Sequence, residues 1–67
     1  MKDEKIIARI IRNTNEECVI RTFNHWNIDV VDMRWFTSGN PTKKGLRVNM
    51  EELKILYKAL GKIVGEE

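Results

Sequence analysis

Cys18 is the only cysteine and His25 the only histidine of this 67-residue chain, and this scarcity limits the fold more than any motif does. A chain so short buries only about 60% of the surface its unfolded form exposes. Domains below ~70–80 residues usually gain stability from disulfides, a structural metal or a partner subunit. One thiol forms no internal disulfide, and a Cys/His zinc site needs four ligands. Self-association is the remaining device. The chain is therefore expected to be a single domain, residues 1–67, that pairs with a second copy.

Charged residues make up 33% of the chain and hydrophobic ones 42%, a balance typical of a packed domain rather than a disordered one. The net charge of +2 is unevenly spread. Lys5 to Arg47 holds eight Lys/Arg against four acids, whereas Val48 to Glu67 holds three lysines against four acids. A basic region followed by a near-neutral one fits an anionic partner on the first. No run approaches the ~18 apolar residues of a transmembrane helix. Met1 to Lys5 is of mixed charge with no long apolar core behind it, unlike a signal peptide. With its unpaired thiol the protein is expected in the cytoplasm, away from membranes.

Ile6 to Arg12 contains four isoleucines in seven residues. Their 6, 7, 10, 11 spacing also suits a helix that Asp3 would cap, but the β-branched run is taken as a strand. Asn13-Thr14-Asn15 is a turn cluster, and residues 17–24 form a second strand rich in β-branched and aromatic side chains. Asn24 to Asn27 is a turn or a bulged continuation. In a third strand, 28–36, alternation places Ile28, Val30, Asp32, Arg34 and Phe36 on one face, and Asp29, Val31, Met33 and Trp35 on the other. Thr37 to Thr42, with Gly39 and Pro41, is read as a loop, and 45–48 as a short fourth strand. Asn49 and Glu52 form a capping box that opens a helix over about 50–64. Leu53, Leu56, Tyr57, Leu60, Ile63 and Val64 make its apolar stripe, widened by Ile55 and Ala59. The expected fold is α+β, a four-stranded antiparallel meander followed by one C-terminal helix. Leu53, Leu56, Tyr57 and Leu60 are the expected homodimer contacts.

Three pieces of the chain carry a resemblance: Phe23 to Asn27, then Val31-Asp32-Met33-Arg34 followed by aromatics, then Lys43-Lys44-Gly45-Leu46-Arg47-Val48-Asn49 with Glu51-Glu52-Leu53. In this order and spacing they resemble the single-stranded-DNA-binding domain of the transcriptional coactivator positive cofactor four, and its compact bacterial members most. The resemblance implies a homodimer with paired helices, and curved sheets that hold melted DNA with little sequence discrimination. It implies base contact at Phe23, at the end of strand two, and nucleic-acid contact at Arg34 on strand three and at Lys43 and Lys44 in the loop before strand four. The chain departs from the family in a longer connection from Phe23 to Asp32, a shorter loop at 37–42, and Asn24 or His25 where a strongly basic residue often follows strand two.

The residues themselves support the same chemistry, since cations neutralise phosphates and aromatic faces receive unstacked bases. Arg34 directly precedes the aromatic pair Trp35-Phe36, although it could also pair with Asp32 or Asp29. Phe36 shares the face of Arg34 and is the better stacking candidate, whereas Trp35 belongs to the opposite side, with Val31 and Met33, as a core or dimer contact. Trp26 is either a turn-shielding residue or an edge stacker. His25 has no nucleophile or carboxylate pair at a recognisable spacing, so no enzyme activity, metal or cofactor is expected. The expected function is single-stranded DNA binding, or RNA binding, in transcription regulation or genome maintenance, through Phe23, Trp26, Arg34, Phe36, Lys43 and Lys44. A small dimeric module whose basic face meets an acidic protein is the alternative.

Overall fold

The computed structural model describes residues 4–65. Asp3, the cap in the helical reading of the first segment, lies outside them, as do Met1, Lys2, the last two residues and the side chain of His25. Four strands, β1 (Lys5–Ile11), β2 (Glu16–His25), β3 (Ile28–Thr37) and β4 (Asn40–Asn49), precede one helix, α1 (Met50–Val64). Every neighbouring pair is antiparallel and the sheet order follows the chain. The α+β meander expected from the sequence is therefore the fold, and the isoleucine-rich segment is a strand.

Each turn has a local cause. Asn13 Oδ1 accepts from the backbone N–H of Asn15 (2.8 Å) and of Glu16 (2.9 Å), closing the β1–β2 connection. The β2–β3 and β3–β4 hairpins each turn on two residues with positive φ, Trp26 (56°) with Asn27 (62°), and Ser38 (51°) with Gly39 (83°). Such turns match the right-handed twist of the strands they join. The second turn corrects the loop expected at 37–42 and the fourth strand expected at 45–48. Asn40 pairs with Thr37 and Pro41 with Phe36, so β4 starts five residues earlier, as a ten-residue strand. Pro41 is compatible with pairing because β4 is an edge strand, where a missing N–H need not break a ladder.

The helix starts as its sequence dictates. Asn49 Oδ1 accepts from the Glu52 N–H at 2.8 Å, and the Asn49 N–H donates to Glu52 Oε1 at 2.9 Å. Gly65 ends it in the left-handed conformation (φ 86°), donating its N–H to the Gly61 carbonyl. α1 lies against β3 and β4 and not against β1 or β2. An open apolar groove of about 550 Å³ is left between Leu53, Leu56, Tyr57 and Leu60 of the helix and Ile20, Val31 and Met33 of the sheet. A bulge between Ile6 and Ala8 in β1 brings Ile7 to the same groove.

The buried core is small. Among the described residues only Val19, Phe23, Val31 and Asp32 are buried. Val31 faces the helix, but the other three lie on the opposite side of the sheet. Cross-strand pairs there put Arg21 beside Asp32, Asp32 beside Arg47, and Val19 beside Arg34. Among the described residues no second layer lies on that face, and long arginine side chains cover the apolar residues there.

Candidate nucleic-acid interface

The open face of the sheet is organised around Asp32, whose side chain has no solvent exposure. Arg34 donates to it through Nη2 (2.8 Å) and Nε (3.2 Å), and Arg21 through Nη2 (2.8 Å). Arg47 Nε approaches the same carboxylate at 3.5 Å. These residues converge because β2, β3 and β4 pair in register, with Arg21, Asp32 and Arg47 side by side and Arg34 two residues along β3. Burial alone would push the Asp32 carboxyl up. The hydrogen bonds from Arg34 and Arg21, with their charges, outweigh it and hold the group below the usual carboxylate range. Burial works against the Arg21 guanidinium too, yet its hydrogen bonds to Asp32 and Glu4 raise its pKa.

The two phenylalanines of this face lie within the cluster. The Arg21 guanidinium lies 4.9 Å from the Phe23 ring and 5.3 Å from that of Phe36, and Arg47 lies 5.3 Å from Phe23. Rings and cations thus alternate as Phe36, Arg21, Phe23 and Arg47, each cation over the negative face of a ring. Phe23 is only 4% exposed, so the surface above it is guanidinium rather than ring. Phe36 is half-buried. Arg34 does pair with Asp32, but with a fully buried carboxylate rather than at an exposed surface, and it also donates to the Thr42 carbonyl at 3.0 Å.

Lys43 and Lys44 are exposed in the irregular stretch of β4 between Pro41 and Gly45. Thr42 fixes that stretch, its hydroxyl donating to the Trp35 carbonyl (2.7 Å) and accepting from the Lys44 N–H (3.2 Å). Gly45 sits opposite Arg34 with φ 151°, where a Cβ would press on the Met33 carbonyl oxygen and the Arg34 Cα. Trp26 is 81% exposed at the tip of the β2–β3 hairpin. Trp35 is half-buried on the helix side of the sheet, with the Arg12 guanidinium 3.8 Å from its ring.

The structure therefore gathers Phe23, Arg34 and Phe36, while Trp26 sits at the β2–β3 hairpin tip. Asp32, Arg21 and Arg47 complete the cluster, and sequence reasoning passed over them as site residues. The available signal was one acid flanked, once registered, by an arginine on each neighbouring strand. It becomes legible only when the β4 register is known. Comparison of the chain with known protein families, curated proteins and solved structures finds no match.

Proposed function

We propose that this protein is a homodimeric single-stranded nucleic-acid-binding protein of the cytoplasm, acting in transcription regulation or genome maintenance as its resemblance to the positive cofactor four domain suggests. The observation that carries the reading is the division of the sheet into two unlike faces. One presents Arg9, Arg21, Arg34 and Arg47 with Phe23 and Phe36 beneath them, and is covered by no helix. The other carries α1 and the apolar groove. Guanidinium groups laid over rings suit a flexible strand, because they bind phosphate and offer a flat cationic surface to bases. There is no recognition helix for the major groove, since α1 lies on the opposite side of the sheet.

A second copy on the helix side accounts for the apolar surface there. Tyr57 is 74% exposed and Ile63 78%, while Leu60 borders the groove. The chain has 5575 Å² of accessible surface, against about 4,400 Å² for a folded monomer of this mass. The excess, on the order of 1,000 Å², is what one partner contributes to a stable interface.

The test is titration with oligothymidylate, followed by tryptophan fluorescence, with an equal-length duplex as competitor. Binding that weakens steeply with salt and resists the duplex is expected. Equal affinity for both forms would remove the single-strand reading. Displacement by polyglutamate as effective as by oligonucleotide would favour an acidic protein partner instead.

A further inference from the structure

The three arginines around Asp32 are not equivalent, and the difference assigns them separate roles. Arg34 spends Nε and Nη2 on Asp32 and Nη1 on the Thr42 carbonyl, and its side chain is 20% exposed. Arg21 spends Nη2 on Asp32 and Nη1 on Glu4, and is 15% exposed. Arg47 is 48% exposed and touches Asp32 only through the 3.5 Å Nε contact. Among the described residues its guanidinium makes no hydrogen bond. One carboxylate shared by two hydrogen-bonded arginines has no charge left to neutralise a third, and Glu4 is taken up by Arg21. The surplus positive charge of the cluster therefore sits on Arg47, at the outer end of the Phe36, Arg21, Phe23, Arg47 row, on an edge strand.

We propose that Arg47 is the residue of this cluster that binds a backbone phosphate of the single strand, and that Asp32 and Phe23 are positioning residues that hold its guanidinium in place. Arg21 and Arg34, committed to Asp32 by hydrogen bonds, hold the cluster together and are not its phosphate ligand. Asp32 draws the Nε edge of Arg47 inward, and the Phe23 ring underlies the guanidinium plane. Among the described residues the Nη edge has no hydrogen-bond partner, and two parallel N–H groups there match the oxygens of a phosphate. A lysine at this position keeps the charge but has neither a plane to rest on the ring nor a fork.

This inference rests on the nucleic-acid reading, and one experiment separates the two. Oligothymidylate is titrated into the dimer or monomer as it exists in solution, across a series of salt concentrations, with the arginine Nε–Hε signals followed by NMR. In the wild-type protein the Arg47 signal should shift on binding, whereas that of Arg34, already committed to Asp32, should move little. Arg47→Ala should bind about tenfold more weakly, with a log–log salt slope reduced by about 0.7. Arg47→Lys should retain the slope but lose several-fold in affinity. If the wild type binds and the Arg34 signal moves while that of Arg47 does not, or if Arg47→Ala leaves slope and affinity unchanged, the assignment is wrong and the nucleic-acid reading survives. If the wild type binds no oligonucleotide, both fall together. Arg47 is half exposed and its guanidinium makes no hydrogen bond among the described residues, so its variants test binding in a folded protein. The NMR comparison requires no variant.

Discussion

At Gly45 the chain accepts no side chain. Its φ of 151° and the close approach of the Met33 carbonyl and the Arg34 backbone leave no space for a methyl group. Gly45→Ala should cost about 1–3 kcal/mol, read as a lower denaturation midpoint, and an unchanged midpoint would show that β4 can shift without penalty. Asp32 is more sensitive still. Removing one partner of a buried ion cluster costs about 3–5 kcal/mol, and a domain of this length has only about 3–10 kcal/mol in all. Asp32→Ala is therefore expected to leave most chains unfolded. Because the folded state holds the Asp32 carboxyl below its ordinary pKa, this stabilisation is fully present above the ordinary carboxylate range. It is lost as the pH falls through the lowered folded value. Urea unfolding across acidic pH should show that loss in the wild type and a flatter acid limb in Asp32→Asn; equal limbs would mean the carboxylate contributes nothing. The pairing of Arg34 with Asp32 was legible from their i, i+2 positions on one strand face. The burial of Phe23 was not, because it depends on arginines from two neighbouring strands.

Among the elements, α1 was the most legible, since its cap, stripe and end are all written locally. Asn49→Ala removes the side-chain acceptor of the capping box and should cost about 1 kcal/mol, measured by thermal denaturation with helical ellipticity as the signal. β4 was the least legible. Gly39, Asn40 and Pro41 are loop residues by composition, yet the hairpin turns on Ser38 and Gly39 alone and pairing resumes at Asn40. Composition reports what residues prefer, whereas the length of the turn is set by strand twist and by the pairing it must close. Ser38 carries a positive φ that asparagine tolerates better. Ser38→Asn should therefore raise stability by about 0.5 kcal/mol. A lower melting temperature would argue that the Ser38 N–H bond to the Asn15 carbonyl (2.8 Å) depends on the serine.

As a whole the molecule is a slab of 35 × 33 × 18 Å with a radius of gyration of 13.0 Å, wider than the ~11 Å expected of a closed domain of this length. The second layer is a single helix that meets half of the sheet. Tyr57→Glu separates the alternatives for the uncovered half. In an isolated chain a residue this exposed should tolerate the change within about 0.5 kcal/mol. In a homodimer closed over the groove the same change should yield monomers in analytical sedimentation and a large loss of stability. Dimeric wild type and monomeric variant are the expected pair. A wild type that sediments as a monomer at micromolar concentration would remove the dimer from the proposal.

The amino-acid sequence by itself determined the element types after the first segment, the helix cap and the face on which each β3 residue lies, whereas the spacing of the isoleucines in Ile6 to Arg12 suited a helix as well as the strand that forms. The properties it determined follow from the period of two and local turn chemistry. With one cysteine, it also left no pair of thiols for a disulfide within the chain. Only the tertiary structure decided which residues meet across strands. Register brought one acid between arginines of two neighbouring strands, and the absence of a layer above that face made the arginines its cover. Burial then turned Asp32 from one surface charge among ten acids into the centre of the cluster, because a carboxylate removed from water is tolerated only where several donors converge on it.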